Sequence, residues 1–207
     1  MPMGKNQIRR LLVMIASVSL QAGLVMAATV NVQVLDGSGK PLADAVAFLE
    51  SKEARAAARP TQGAEMAQAG KQFDPKVLVV PVGTSVQFPN RDTVRHHVYS
   101  FSPTKPFELK LYTGSAANPV VFDKTGVAVL GCNIHDNMTA WVVVVDTPYF
   151  GRSAAPGKVI LGNVPAGSYN LRVWHPGLAP GASAFEQPLM VGNTDASTTV
   201  RMIGLAP

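Results

Sequence analysis

The chain has 207 residues, of which 47% are hydrophobic and 15% charged, with 18 glycines and 16 prolines. Such a length and composition suit one or two small β-rich domains and allow a sizeable hydrophobic core. The formal net charge is +5, but it falls to +2 without residues 1–27, which hold three of the 18 basic residues and none of the 13 acidic ones. So small a charge argues against a nucleic-acid partner.

Residues 1–27 have the pattern of a secretory signal peptide. A basic start is followed by an apolar run that ends in the small-residue pattern Val25-Met26-Ala27. An uncleaved membrane anchor is the alternative, but small and polar residues interrupt the run at Ser17, Ser19, Gln21 and Gly23. We therefore expect a bacterial-type export signal cleaved after Ala27, a periplasmic location, and no stable membrane anchor after cleavage.

The mature chain begins with two predicted strands. Residues 29–35 alternate between apolar and polar side chains, as a half-buried strand does, and a turn over 36–41 leads to a second strand at 42–49. Residues 51–72 are rich in alanine, glutamine, glycine and charge. That composition predicts a surface loop or linker, with at most a brief helical turn before Pro60.

A longer β pattern extends from residue 73 to residue 146. Residues 77–88 indicate a strand, a tight turn and a second strand. The strands predicted after them in this region are 98–101, 107–112, 119–122, 127–130 and 141–146, and residues 189–191 and 198–203 would supply the last strands of the chain. Residues 141–146 are apolar on both faces, which is typical of a strand in the middle of a sandwich.

Cys132 is the only cysteine, so the chain cannot form an internal disulfide. In an exported protein such a cysteine is inert and buried, forms a bridge to another chain, is a reactive thiol, or binds a metal. His135 and Met138 follow it at the third and sixth positions. Thiolate, imidazole and thioether, with a second imidazole, are the donors of a mononuclear blue-copper site. Zinc is the competing metal, but it has no use for the thioether of Met138.

The segment that supplies the second imidazole runs from Asn90 to His97. Together with the Cys-x-x-His-x-x-Met spacing, it resembles the cupredoxins, the blue type 1 copper proteins of the amicyanin and plastocyanin kind. In that pattern Asn90 opens a turn that ends in the ligand His96. The departures are Arg95, where proline is common, and His97, where asparagine is common, so that His97 is the alternative ligand.

The resemblance implies a Greek-key β-sandwich over residues 59–148 and one type 1 copper per chain. Its ligands would be His96, Cys132, His135 and Met138. Asn90 would form a hydrogen bond across to the ligand loop, in the second shell of the site.

Two flanking segments resemble a different family, the carboxypeptidase-regulatory-like domains, which are small transthyretin-like β-sandwiches. The matching residues are the turn and strand at 36–45 and the strand, turn and strand at 157–174. We therefore predict that segments 28–58 and 149–207 form one all-β sandwich into which the cupredoxin is inserted or to which it is joined. The alternative places residues 28–49 in an enlarged cupredoxin and leaves the C-terminal strands separate.

These observations predict a one-electron carrier that docks transiently with redox protein partners. Some proteins of this kind are labelled methylamine-utilisation proteins. The alternatives are a copper-binding or delivery protein without electron transfer, and an interaction module whose sandwich does the binding. We expect no enzymatic activity, since the four histidines do not form the His-x-His patterns of multicopper enzymes. His175 is predicted to be a turn residue.

Overall fold

A computed structural model describes residues 27–115 and 118–206. The predicted signal peptide lies outside these residues except for Ala27. One short helix, α1, spans Lys52–Ala57. The described strands are β1 Ala27–Leu35, β2 Val46–Glu50, β3 Ala64–Glu65, β4 Ala67–Ala69, β5 Gln72–Asp74, β6 Val77–Pro81, β7 Thr84–Gln87, β8 His96–Ser100, β9 Phe107–Tyr112, β10 Val120–Phe122, β11 Gly126–Gly131, β12 Thr139–Val145, β13 Phe150–Arg152, β14 Lys158–Pro165, β15 Gly167–Trp174, β16 Phe185–Val191 and β17 Ala196–Arg201. Within those ranges no helix has the length and apolar character needed to span a membrane.

Strands from both ends of the described chain form one β-sandwich, which we call the terminal sandwich: β1, β2 and β13–β17. One of its sheets has the order β14-β1-β17 and the other β13-β2-β15-β16. The alternation in β1 turns Val30, Val32 and Val34 into the core between the sheets. The N-terminal strands therefore share a core with the C-terminal ones. Pairing does not define domain limits, so the boundaries predicted at 58/59 and 148/149 stay predictions.

Strands β3–β12 form a second β-structure, the central sandwich. Its sheets have the orders β6-β12-β11-β8-β9 and β10-β7-β3, with β4 and β5 as an additional hairpin. Strand β12 lies inside the five-stranded sheet and is apolar on both faces, as predicted. Ala140 and Val142 point into the core of the central sandwich, and Val143 points out of it. The all-β prediction is confirmed, since the described residues form five sheets and one short helix.

The outer face of β12 packs against the terminal sandwich. A separate apolar cluster joins Val77, Val143 and Val145 of the central sandwich to Val46, Phe48 and Trp174 of the terminal one. The rings of Trp141 and Trp174 lie 6.4 Å apart between centroids. Burial of these side chains stabilises the two sandwiches against each other.

The structure differs from the sequence prediction mainly between residues 42 and 74. The second strand begins at Val46 rather than at residue 42, because Asp44 has a φ of 61°, which no strand residue adopts. Within residues 51–72, the brief helical turn allowed before Pro60 is α1, whose N-terminus is capped by the Ser51 hydroxyl accepting the Ala54 N–H. The short strands β3 and β4 are the departure from a loop.

Candidate metal centre

Strand β8 carries His96 at its first residue, with the imidazole fully buried. The turn before the strand is held by Asn90, which is itself buried. The Asn90 Nδ2 donates to the carbonyls of Val94 and Tyr112, each at 2.8 Å, and its Oδ1 accepts the Asp92 N–H. We predicted instead a bond from Asn90 to the loop after Cys132. The amide stabilises the turn that leads to His96, because two of the groups it binds belong to that turn and the third belongs to the neighbouring strand β9.

Cys132 and Met138 mark the two ends of the loop between β11 and β12. These strands pair as far as Gly131 and Thr139, so the loop is closed at its base. The Met138 N–H donates to the His135 carbonyl at 3.0 Å, which tightens the loop. Cys132 and Met138 are buried and belong to the same core cluster, whereas His135 is partly exposed.

The two segments meet because β8 and β11 are neighbours in the sheet. Gly131 pairs with Tyr99, and a Cβ at position 131 would lie 2.7 Å from atoms of the Tyr99 ring. Only glycine therefore allows the tyrosine to pack over this residue. This close approach brings the start of β8 beside the residue that follows Gly131, which is Cys132.

Three of the predicted ligands come together. The ligand atoms of His96, Cys132 and His135 all lie within 4.8 Å of one another, close enough for one metal ion to contact all three. The two imidazole rings are 5.1 Å apart between centroids and inclined at 58°. The fourth predicted ligand, Met138, is 1% exposed and packs in the cluster that contains Cys132.

The hydrogen bonds of the imidazoles fit a bound metal. The Nδ1 atoms of His96 and His135 are buried and have no hydrogen-bond partner among the described residues. A buried polar atom without a partner is costly, and a metal ion would satisfy both nitrogens at once. His97 Nδ1 is also unpartnered, so this property alone does not identify a ligand. His96 and His135 differ from His97 because their ligand atoms lie close to the Cys132 thiol.

The structure separates the two adjacent histidines. Successive residues of a strand point to opposite faces, so His97 points away from Cys132. Its Nε2 lies 2.8 Å from Oε1 of Glu108, and its ring lies against Tyr99. His97 is nevertheless buried, at 6% exposure, and is held by a partner on β9.

Asp92 is a functional candidate that the sequence reasoning missed. Its Oδ2 lies 2.7 Å from Nε2 of His96, and its two oxygens accept the N–H groups of Gly70 and Lys71. The Lys71 N–H, followed by the bond to His96, holds the pKa of the Asp92 carboxyl below its usual value. The four-residue spacing from Asp92 to His96 was the available signal.

A second network missed by the sequence reasoning is centred on Tyr112, the residue of β9 that pairs with His96. The Tyr112 hydroxyl donates to the Phe88 carbonyl and accepts from Nε2 of Gln68, a fully buried residue. Burial raises the pKa of Tyr112 to about 12, so the phenol stays protonated and keeps donating at neutral pH.

Comparisons with known proteins found solved structures that are similar to part of this chain. No family model and no curated protein matches the sequence. A purple cupredoxin from Nitrosopumilus maritimus is 24% identical, with 40% of this chain and 99% of that chain covered and a TM-score of 0.35. A reduced variant of amicyanin is 24% identical over 48% of this chain and 98% of that chain, with a TM-score of 0.37.

A copper-containing nitrite reductase from Thermus scotoductus is 24% identical over 54% of this chain and 28% of that chain, with a TM-score of 0.38. These TM-scores lie below 0.5. The assignment to the all-β class therefore rests on the strands and sheets of the chain itself.

Proposed function

We propose that the protein is an exported electron carrier with a single blue-copper centre, and that it has no enzymatic activity of its own. The observation that carries the proposal is the approach of the His96, Cys132 and His135 donor atoms to within 4.8 Å. The donor set favours copper, because a thiolate, two imidazoles and a thioether suit that metal, whereas zinc has no use for the thioether.

Each ligand has a distinct role in this proposal. Cys132, as a thiolate, would form the strongest bond to the metal, and the imidazoles of His96 and His135 would be the two nitrogen donors. Met138 would be the weakest donor, whose thioether helps to set the reduction potential. When bound, copper supplies a one-electron couple between Cu(II) and Cu(I).

The surroundings of the ligands support electron transfer. Three of the four side chains are buried in a packed core or held by hydrogen bonds, so they keep their positions when the charge of the site changes. A site that moves little exchanges electrons readily, and a buried, preformed site releases its metal slowly. The second property argues against a role in copper delivery.

His135 is the route by which an electron would enter or leave. It is the one predicted ligand whose side chain reaches solvent, and Ile134 beside it is 48% exposed. Val94, in the turn before His96, is 40% exposed. These apolar side chains suit a small, transient interface with a redox protein, since encounters of this type bury little surface.

The test is the visible absorption spectrum of the mature protein after addition of Cu(II), with the copper content measured by elemental analysis. We expect one copper per chain and an intense thiolate-to-copper band. Replacement of the thiolate in Cys132→Ser should abolish the band, while far-ultraviolet circular dichroism remains unchanged. A folded, copper-loaded wild-type protein without the band would contradict the proposal.

A further inference from the structure

Asp92 is held by the β4–β5 hairpin, a segment of the chain that is separate from the ligand loop between β11 and β12. Gly70 and Lys71 form the two-residue connection between β4 and β5, and both have positive φ, at 60° and 57°. This is the geometry of a type I′ hairpin turn. Its N–H groups donate to the Asp92 carboxylate at 2.7 and 2.9 Å. These two bonds fix the position of the carboxylate independently of its contact with the imidazole of His96.

The contact with His96 determines which ring nitrogen carries a proton. The ionised carboxylate can only accept hydrogen bonds, so Nε2 of His96, 2.7 Å away, must be the donor. In the neutral imidazole the lone pair then lies on Nδ1. That nitrogen is buried and has no hydrogen-bond partner among the described residues, and the imidazole that carries it belongs to the cluster with Cys132 and His135.

We infer that Asp92 is a positioning residue for the metal site: it holds His96 in the tautomer whose Nδ1 can bind the metal, and its charge lowers the reduction potential. The inference rests on the proposed copper function. Carboxylate–imidazole–metal arrangements of this type orient the ligand and raise its basicity.

The direction of the effect on the potential follows from charge. The negative carboxylate stabilises the doubly charged Cu(II) state more than the singly charged Cu(I) state. Solvent screens the interaction only weakly, because the His96 side chain is 0% exposed and the Asp92 side chain 17%. Removal of the charge should therefore raise the reduction potential.

The variant Asp92→Asn tests this effect. An amide has one acceptor oxygen, so it cannot satisfy the hairpin N–H groups and His96 Nε2 as the two carboxylate oxygens do. We expect about a 10- to 100-fold loss of Cu(II) affinity. For each tenfold by which Cu(II) affinity falls more than Cu(I) affinity, the one-electron potential should rise by about 59 mV.

The matched control is Asp136→Asn. Asp136 carries the same charge one residue after His135, but it is exposed, so its effect on the metal is screened by solvent. Its substitution should leave the potential close to the wild-type value. If Asp92→Asn shifts the potential no more than the control does, the inference is wrong.

A second measurement uses the metal-free protein and holds even if the variant folds poorly. Long-range proton–nitrogen correlation spectra of the wild-type imidazoles at pH 8 should show the proton of His96 on Nε2. A proton on Nδ1 would overturn the inference. This result does not depend on copper. Absence of the blue band in the wild-type protein would contradict the proposed function, whereas the position of the His96 proton tests only the role of Asp92.

Discussion

The terminal sandwich buries Met202 and the central sandwich buries Met66 and Met138, but of these three only Met138 lies in the loop that carries Cys132 and His135. Met202 lies in the core of the terminal sandwich among alanine, valine and leucine side chains and Tyr169. Met138 shares its cluster with Cys132, beside the point where His96 and His135 meet. The same side chain is thus ordinary packing in one sandwich and a candidate ligand in the other. Its neighbours, and not its burial, carry the functional information.

The two sandwiches also differ in their buried polar side chains. Among the described residues, those of the central sandwich are Gln68, Thr84, Asn90, His96, His97 and Ser100. The other buried polar side chains of the described residues are Thr147, which precedes β13 of the terminal sandwich, and Ser153, which follows it. Buried polar groups cost free energy unless they are satisfied. In the central sandwich, hydrogen bonds satisfy Asn90 and the Gln68 Nε2, and these bonds hold the turn and the strands around His96.

The largest expected difference separates two neighbouring histidines. His96→Gln should abolish the blue absorption band, because it removes a ring nitrogen from the cluster with Cys132. His97→Gln should keep the band, since an amide can still donate to Glu108 from the opposite face. Absorption spectra of both copper-loaded variants decide the matter. Loss of the band in His97→Gln with its retention in His96→Gln would reverse the assignment of the ligand.

A substitution in the core of the terminal sandwich should lower the stability of the protein but leave its blue absorption band unchanged. Leu171 is fully buried there, so Leu171→Ala should lower the free energy of unfolding by about 2–5 kcal/mol. The blue band per folded molecule should not change. The control, Ile160→Ala, removes a side chain that is 66% exposed in the same sandwich and should change stability by about 0.5 kcal/mol or less. Denaturant unfolding monitored by circular dichroism measures both, and a lost band in folded Leu171→Ala would show that the sandwiches are coupled at the metal site.

The smallest expected effect concerns His175, next to the terminal sandwich. Burial lowers the pKa of its imidazole, whose Nδ1 accepts the Gly177 N–H and whose Nε2 donates to the Ala43 carbonyl. The folded state therefore favours the neutral ring. In the unfolded chain the imidazole has its ordinary pKa of about 6.5, so it takes up a proton at a higher pH than in the folded state. Stability should fall as the pH drops from 7 through the lowered pKa.

The variant His175→Asn should remove this part of the pH dependence. Unfolding in urea at pH 7.5 and at pH 5, for the metal-free wild-type protein and the variant, measures the difference. An equal loss of stability in both proteins on acidification would show that His175 does not contribute. Metal-free protein is used because metal affinity depends on pH and would add its own pH dependence to the stability of the loaded protein.

Much of the fold was predictable from local patterns. The alternation of apolar and polar residues in β1 and the two apolar faces of β12 each follow from a few consecutive side chains. The loop from Cys132 to Met138 was predictable for the same reason, since three candidate ligands lie within seven residues. Among the three-residue strands, β10 was predicted within residues 119–122, whereas β5 and β13 were missed because so short a run shows no periodicity.

The sequence by itself determined the all-β class and the donor types at the candidate site, because both are properties of residues close together in the chain. Only the tertiary structure decided which histidine meets Cys132 and how Asp92 is held. Those contacts join β8 to the ligand loop and to the β4–β5 hairpin. The pairing of β1 with β14 and β17 was likewise decided by packing. Contacts between distant segments depend on how sheets bury their apolar faces together, and no local pattern encodes that choice.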